Sequence, residues 1–570
     1  MLKVPIAIPV LPFRFKIIDL FILFFITGIL SLIIYTASGW RYEMQPEIQI
    51  SLDIKYIPLY SANSLVRVFF AYFLSLLFSI WYGYTANRSP LHEKIMIPLL
   101  DVLQSIPVLS FLPGVVLAMI AIFPHKRIGL ELASILLIFT GQVWNMAFSY
   151  YNSINTIPRE LIEVTKVFRH NRFTKFLRLD MPFSAIGLIW NSMMSVAGGW
   201  FFLMACEMFV LKDKDFRLLG LGSYIQTAAN QGDMVHVLYG IGSMILLIVL
   251  IDFLIWRPLV AWSQKFRFET VQSEEERESI VLNILRKSSF VRMLTSFASF
   301  CLKKIEVFFE QFDSRVKTKS QIIRKIVFFI LTIFLLILLL WASFKAIMLF
   351  LTLSLSDYYS VFIAAIYSIL RTTAALFIAA LWTIPIGVYI GMNPKASKIL
   401  QPIIQIVASV PATAIFPVIL LFLIKIGGGL GIGSIFLMLL GTQWYILFNV
   451  IAGASSIPQD LRETALIYKI SGIQKWKTLI LPGIFPYLVT GLITATGGAW
   501  NASIVSEYVT FGGETIKTKG LGSMISESTI TGKFGLLLLS TLLMAIIVVS
   551  INRIIWKRLF MLAQEKYRLD

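Results

Sequence analysis

The sequence predicts an all-α integral membrane protein of two parallel six-helix repeats, with about twelve transmembrane helices. Of its 570 residues, 57% are hydrophobic and only 14% are charged, and the mean hydropathy is +0.80, well above the usual range for soluble domains. Apolar runs such as 17–36 and 326–351 can cross a hydrocarbon core, which needs about 20 residues per helix. Finally, the two halves of the chain carry matching residues about 300 positions apart.

The repeat is strictest in two polar segments, each lying between two apolar spans. The first runs from Pro158 to Pro182 and the second from Pro458 to Pro482, so a spacing of 300 residues holds throughout. Farther upstream the spacing is 304, because the first half has four more residues between its third and fourth spans. Lipid alone does not explain so close a match between polar segments. We therefore infer that something outside the membrane recognises both of them.

Hydropathy predicts six spans in each half. Those of the first half are 17–36, 61–84, 98–122, 131–151, 183–206 and 236–256, and those of the second are 326–352, 361–390, 402–424, 432–452, 484–506 and 534–556. The predicted domains are an amino-terminal segment with the first helix and an outer loop (1–60), a first repeat domain (61–256), a linker (257–325), the first helix of the second half (326–360), a second repeat domain (361–556) and a tail (557–570).

Basic residues predict the orientation of the chain, because short loops rich in Lys and Arg stay in the cytoplasm. Lys3, Arg14 and Lys16 precede the first span, and six basic residues between 159 and 178 follow the fourth. Both termini are therefore predicted to be cytoplasmic. The linker, with apolar residues among lysines, should lie along the membrane surface on the same side. This arrangement predicts parallel repeats about a central pore.

Several function classes find no support. The net charge of +19 does not indicate nucleic-acid binding, because the basic residues are separated by apolar spans. Cys206 and Cys301 form no motif and the four histidines are scattered, so we expect neither a disulfide nor a metal site, and no enzyme active site. The chain has no G-x-x-x-x-G-K-[ST] motif, so it is not expected to hydrolyse ATP or to hold a cofactor itself.

Each polar segment is predicted to form a short helical hairpin in the cytoplasm. Pro158 and Pro458 suit a first helical turn, where the missing N–H costs nothing. The acidic residues that follow lie where the helix dipole favours negative charge; they are Glu160, Glu163, Asp460 and Glu463. An ordinary loop whose basic residues only fix the topology is the alternative. Two copies with identical spacing favour docking on a two-fold partner.

These segments resemble the EAA loop of ABC importer permeases. The matching positions are Glu163, Thr165, Arg169 and Pro182 in the first half, and Glu463, Ala465, Lys469 and Pro482 in the second. Both copies differ from the family pattern where it has a glycine, at Arg169 and Lys469. Gly472 is expected to supply the turn in the second half, and His170-Asn171 a weaker substitute in the first.

The rest of both halves resembles the nitrate, sulfonate and taurine branch of these permeases, here with two permease domains fused in one chain. The similar stretches are 410–417, 498–500 with Glu507, and 520–522, with first-half counterparts 106–113, 198–200 with Glu207, and 220–222. The resemblance implies a bacterial inner-membrane subunit whose loops sit in clefts of two ATPase subunits. Those subunits would bind ATP and Mg, and a solute-binding protein would deliver cargo outside.

The substrate stays open among nitrate, sulfonates, bicarbonate and an uncharged heterocycle. The alternative function is a self-powered secondary carrier, since six plus six parallel helices also describe that class. Its usual Gly-x-x-x-Asp-Arg signal is missing from 85–90 and from 391–394.

Polar residues inside apolar spans are candidates for a substrate pathway, because such groups tend to face a bundle interior or water. The candidates are Gln104, Ser105, Gln142, Asn145, Asn191, Ser195, Ser409, Thr413, Gln443, Thr494, Asn501 and Ser503. Hydrogen bonding between helices is the alternative for each. A possible outer gate comprises Arg67, Arg371, Glu207 and Glu507. The arginines either gather anions or extend to the membrane interface, and the glutamates either gate or are satisfied by backbone or lysine.

Overall fold

Helices dominate the computed structural model, which describes residues 17–41, 48–124, 126–168, 170–211, 214–266, 279–315, 320–425, 429–511 and 514–566. The first half contains α1 (Ile17–Ser38), α2 (Ile57–Ala86), α3 (Pro90–Ser105), α4 (Leu112–Ile122), α5 (Ile128–Asn155), α6 (Arg159–Val167), α7 (Arg172–Lys175), α8 (Met181–Glu207), α9 (Leu221–Asn230) and α10 (Met234–Ile251). The linker region contains α11 (Arg257–Ser263), α12 (Ile280–Lys287) and α13 (Ser289–Arg315).

The second half repeats this order. It contains α14 (Ser320–Phe350), α15 (Leu355–Met392), α16 (Pro394–Ser409), α17 (Ala412–Lys425), α18 (Leu430–Ser456), α19 (Gln459–Ile467), α20 (Gly472–Lys475), α21 (Leu481–Ser506), α22 (Leu521–Thr531), α23 (Phe534–Ile551) and α24 (Lys557–Lys566). A π-helical turn joins α7 to α8 at Phe176–Asp180, and another joins α20 to α21 at Trp476–Ile480.

Nine of the twelve predicted spans are single apolar helices long enough to cross a membrane, within the described ranges. They correspond to α1, α2, α5, α8, α10, α15, α18, α21 and α23. The seventh predicted span falls in α14, whose described apolar part, Leu336–Phe350, is shorter. The all-α fold of two membrane-spanning repeats is thereby confirmed.

The third span of each half was predicted as one helix, and this is wrong. In the first half α3 is followed by a 3₁₀ turn and α4, with a bend of 84° between the two parts. In the second half α16 ends before α17 begins. A proline stands at each break, and the residue before a proline is disfavoured in the helical region. Ile106 (ψ 124°) precedes Pro107 and Val410 (ψ 121°) precedes Pro411.

Two short antiparallel hairpins follow the fifth spans, where sequence patterns had indicated no strands. The first pairs β1 (Met208–Leu211) with β2 (Lys214–Arg217), and the second pairs β3 (Tyr508–Phe511) with β4 (Glu514–Lys517). Their partners match in register, Met208 with Arg217 and Tyr508 with Lys517. The repeat therefore extends to this small feature outside the long helices.

The chain forms two compact units. The first comprises 1–39, 152–190 and 250–334, and the second comprises 40–151, 191–249 and 335–570. In the second unit α15, α18 and α21 pack through small residues. A Cβ added at Gly387 would meet Val450 at 2.8 Å, and one added at Gly391 would meet Ala454 at 2.7 Å. Small residues let membrane helices approach closely, which replaces the hydrophobic driving force absent in lipid.

Candidate functional site

The first polar loop is a helix with a defined end. Pro158 is the N-cap residue that precedes α6, and Glu160 and Glu163 on this helix are exposed. Thr165 is half-buried and its hydroxyl donates to the Ile162 carbonyl at 2.7 Å. Arg169 lies outside the described residues.

A second short helix follows the first in this loop. Asn171 accepts a hydrogen bond from the Thr174 N–H at 2.6 Å and so caps α7. Pro182 stands at the start of α8 and is half-buried. The first loop therefore contains two short helices in the order that the predicted hairpin requires, and Asn171 caps the second of them.

The second polar loop has the same elements in the same order. Asp460 and Glu463 are exposed on α19, and Ala465 is buried at 4% exposure. Arg462 donates to the carbonyls of Ala454 (2.6 Å) and Ser455 (3.2 Å), at the end of α18. A cation at a helix carboxyl terminus is favoured by the helix dipole. Position 162 in the first loop is isoleucine, so this tether belongs to the second loop alone.

The residue that replaces the expected glycine adopts a glycine-like conformation. Lys469 has φ of +52°, a left-handed value that residues other than Gly and Asn seldom adopt. The next N–H, of Ile470, donates to the Ala465 carbonyl at 2.8 Å, and the equivalent bond from His170 to Thr165 in the first loop is 2.9 Å. Gly472, which was expected to supply this turn, also has positive φ, +55°, but the turn that ends α19 is formed at Lys469.

Large apolar side chains project from the end of each loop helix. Val167 and Phe168 are 78% and 68% exposed in the first loop, and Ile467, Tyr468 and Ile473 are 76%, 74% and 75% exposed in the second. Apolar groups exposed at such levels next to charged residues are typical of protein interaction sites. The loops can thus offer a partner an apolar tip flanked by carboxylates.

A buried arginine on α2 organises a cluster of charged side chains. Arg67 on α2 is 1% exposed, and Glu131 and Glu207 beside it are 1% and 0% exposed. The guanidinium holds Glu131 with two hydrogen bonds, Nε–Oε2 at 2.6 Å and Nη2–Oε1 at 2.9 Å. Its Nη1 donates to Glu207 Oε1 at 2.6 Å and to the Leu219 carbonyl at 3.0 Å. Such two-point pairing is the strongest that arginine makes with a carboxylate.

The Glu207 carboxylate also receives groups from the helix that follows it. The hydroxyl of Ser64 donates to Glu207 Oε1 at 2.6 Å, and the Gly222 N–H donates to Oε2 at 2.7 Å. Gly220 and Gly222 lie so close that a Cβ added at either would collide with this carboxylate. The Gly-Leu-Gly sequence at 220–222 therefore places the amino terminus of α9 on the negative charge, which the helix dipole favours.

The second repeat has an equivalent cluster around Arg371, in which a hydroxyl takes the place of the second carboxylate. Arg371, 8% exposed, donates through Nη1 to Glu507 at 3.1 Å and to the Lys519 carbonyl at 2.6 Å. Its Nη2 donates to the Thr518 hydroxyl at 2.8 Å. Ser368 donates to the Glu507 carboxylate at 2.7 Å, as Ser64 does in the first repeat.

These contacts decide between the alternatives for the arginines. Extension to the membrane interface is wrong for both, because each guanidinium is buried against carboxylates, and in Arg67 all three nitrogens have acceptors. The carboxylates of Glu207 and Glu507 accept hydrogen bonds from backbone N–H groups and from serine hydroxyls. The cation beside each is an arginine instead of the lysine that the sequence suggested. Sequence reasoning missed Glu131. Its signal was a carboxylate at the first position of an otherwise apolar span, where a charge needs a partner.

Three pathway candidates have buried polar atoms without a hydrogen-bond partner in the described residues. These atoms are Gln104 Oε1, both amide atoms of Gln142, and Ser195 Oγ. Other candidates bond within their own helix, Thr494 to the Thr490 carbonyl at 3.0 Å and Ser503 to the Trp500 carbonyl at 2.7 Å. Asn145 and Asn191 are half-buried and Gln443 is 7% exposed. The side chains of Ser105 and Ser409 lie outside the described set.

Two candidates join the repeats reciprocally. Asn501 Oδ1 accepts from the Val108 N–H at 2.8 Å, so the fifth span of the second repeat meets the break in the third span of the first. Thr413 lies just after the equivalent break in the second repeat, and its hydroxyl donates to the Phe201 carbonyl at 3.4 Å. Exchanged contacts of this kind are the mark of an approximate two-fold relation.

Glycines bring the fifth spans close to the fourth. A Cβ added at Gly199 would collide with Gln142, and one added at Gly498 would lie 3.1 Å from the Gly441 carbonyl oxygen. Trp200 follows Gly199 directly and Trp500 comes two residues after Gly498. Each tryptophan is 1% exposed. These glycines therefore let the fourth and fifth spans approach closely, with the tryptophan buried beside the contact.

Together these features define a class: an internally duplicated, polytopic helical membrane protein with one exposed polar loop per repeat. A family profile described as binding-protein-dependent transport system inner membrane component matches residues 75–256 and 383–560. The two matches cover more than half of the chain. The chain belongs to this family, with the domain present twice, and this confirms the resemblance to ABC importer permeases with two fused domains.

Individual relatives point to one branch of this family. The chain is 27% identical over 188 residues to the nitrate import permease protein NrtB of Leptolyngbya laminosa, covering 33% of this chain and 64% of that protein. It is 31% identical over 162 residues to the taurine transport system permease protein TauC of Escherichia coli, 28% and 55% of the two chains. It is 30% identical over 147 residues to the bicarbonate transport system permease protein CmpB of Synechococcus elongatus, covering 26% of this chain and 51% of that protein. The chain spans about half to two thirds of the length of these relatives.

Proposed function

We propose that this chain is the transmembrane subunit of an ATP-binding-cassette importer that moves a small solute by alternating access. The observation that carries the proposal is the duplicated loop, two helices of equal length that each end in exposed apolar residues, in a chain of the binding-protein-dependent transport family. A separate polypeptide that changes conformation on binding ATP could move both loops. A self-powered carrier would have no use for such a pair.

The partners follow from the same features. Two loops call for two copies of an ATP-binding-cassette ATPase in the cytoplasm, which would bind ATP and Mg. A solute-binding protein would deliver the cargo on the opposite side, in keeping with the family description. With the loops cytoplasmic, both termini are cytoplasmic too, as the distribution of basic residues predicts.

The substrate class is a small oxyanion, such as nitrate, a sulfonate or bicarbonate. This part of the proposal is supported by the names of the relatives, which are nitrate, taurine and bicarbonate permeases. Arg67 and Arg371 would not bind the anion, because their guanidinium groups are already paired with carboxylates. Amide and hydroxyl groups would bind it instead, with Gln104, Gln142 and Ser195 as the best placed because each carries an unpaired polar atom.

The test is reconstitution of this chain with its ATPase in vesicles, with nitrate, taurine and bicarbonate as trial substrates. Uptake should require ATP. The variants Glu163→Gln and Glu463→Gln should each weaken docking by about 1–2 kcal/mol, roughly ten-fold, and the double variant should nearly abolish uptake. Glu565→Gln, which removes an exposed carboxylate from α24, is the matched control and should transport normally.

Two results would contradict the proposal. One is full uphill uptake by the purified chain without any ATPase. The other is a double loop variant that inserts, couples ATP hydrolysis and transports like the unaltered protein.

A further inference from the structure

The linker leaves an apolar surface exposed on α12 and α13, in the first compact unit. Its large apolar side chains are between 42% and 70% exposed. They are Ile280, Ile284, Met293, Leu294, Phe297, Leu302 and Ile305. On α13, positions 294, 297, 301 and 305 follow the spacing of three and four residues that places side chains on one face of a helix. A continuous stripe therefore runs along this helix.

Basic residues accompany the stripe. Between 280 and 306 the chain has five basic residues, Arg286, Lys287, Arg292, Lys303 and Lys304. The only acidic residue in this range is Glu306, which is 9% exposed and already paired with Arg178 at 3.0 Å. The described exposed charge between 280 and 306 is consequently all positive, and the remainder of α13 adds Glu310, Asp313 and Arg315.

A buried contact fixes where this surface starts. Asp19, in the first turn of membrane helix α1, is 0% exposed. Its Oδ1 accepts hydrogen bonds from the Ser288 hydroxyl at 2.6 Å and from the Phe290 N–H at 3.0 Å. Ser288 in turn accepts from the Val291 N–H at 3.1 Å, in the first turn of α13. The beginning of α13 is thus held at the amino-terminal end of a span, where that span leaves the hydrocarbon.

We propose that α12 and α13 bind the membrane leaflet at the amino-terminal end of α1, with the apolar stripe among the acyl chains and the basic residues on anionic phospholipid headgroups. The occupant is lipid because the surface is apolar and positive at once and begins at the interface, which is the pattern of interfacial helices. This inference does not depend on the transport proposal.

Cys301 permits a direct test. It lies within the stripe and is half-exposed, whereas Cys206 is 6% exposed in α8, so a nitroxide label on the full chain goes selectively to Cys301. The labelled protein is reconstituted in phosphatidylcholine vesicles with and without phosphatidylglycerol. In the anionic vesicles we expect the label to be reached by oxygen, which partitions into lipid, and protected from a water-soluble nickel chelate.

The matched variants remove two charges each. The double variant Lys303→Gln with Lys304→Gln should lower the ratio of embedded to water-exposed label by roughly thirty-fold in anionic vesicles, because each lost charge weakens binding to anionic lipid. Lys395→Gln with Lys398→Gln, at the exposed start of α16, should leave the ratio unchanged. High salt should reproduce the first effect by screening.

Two outcomes would overturn the inference. A label that stays in water in every vesicle shows that the surface does not enter the membrane. A label protected from both reagents, equally in detergent and in either vesicle, shows that protein covers it, whether a second copy or a partner.

Discussion

The two repeats bury the same arginine in different ways. In the first, Arg67 meets two carboxylates, Glu131 and Glu207. In the second, Arg371 meets one carboxylate, Glu507, through Nη1, and its Nη2 donates to the Thr518 hydroxyl. Both solutions leave the guanidinium almost without solvent contact.

The difference has a local cause. At the spacing of 300 residues, Glu131 corresponds to Gly431, and a Cβ added there would lie 3.9 Å from Thr518 Oγ1. A threonine and a glycine thus occupy the region that a second glutamate takes in the first repeat. A duplicated chain can thus keep a buried cation while its counter-charge changes, because a neutral hydroxyl can take the place of a carboxylate as hydrogen-bond acceptor.

Removal of the arginine should show the largest effect. Arg67→Met leaves two buried carboxylates without their cation and should cost about 3–5 kcal/mol of stability, the range found when one partner of a buried ion pair is lost. Arg371→Met leaves a single carboxylate that keeps its bonds from Ser368 and Gly522, so its cost should be smaller. Thermal unfolding in detergent, followed by size-exclusion chromatography, measures both.

A triple variant is the control for this prediction. Arg67→Met combined with Glu131→Gln and Glu207→Gln removes the unpaired charges and should recover part of the loss. Equal destabilisation by the two arginine variants would show that the second carboxylate does not matter.

Substitution of the acceptor that differs between the two clusters, Glu131 in the first repeat and Thr518 in the second, should have an intermediate effect on stability. Glu131→Gln weakens two hydrogen bonds to a charged group and should cost about 2 kcal/mol, whereas Thr518→Val removes one and should cost about 1 kcal/mol. The same unfolding assay ranks them. If Thr518→Val proved the more harmful, the account of Thr518 as the weaker substitute for Glu131 would be wrong.

The smallest effect concerns the second polar loop. Lys469→Gly should stabilise the end of α19 by about 1 kcal/mol, since a left-handed conformation costs other L-residues roughly that amount. Gly472→Ala should have the opposite sign, because its φ is also positive. Hydrogen exchange of the Ile470 amide reports both changes; slower exchange in the alanine variant would contradict the argument.

Much of this protein was readable from its sequence, and the reasons are specific. Nine spans were found because lipid demands long apolar runs. The loop helices were found because prolines and carboxylates mark a helix start. The break at Pro107 was missed because apolar composition continues across it, and Pro98 within α3 shows that a proline alone does not end a helix.

The sequence by itself determined the membrane class, the duplication and the position of the two polar loops, because hydropathy and proline placement act over a few neighbouring residues. Only the tertiary structure decided which charges pair, that Arg67 reaches Glu131 and Glu207 at separations of 64 and 140 residues. Such pairing depends on how helices distant in sequence pack together, since a buried charge is stable only beside a partner that the fold places within bonding distance.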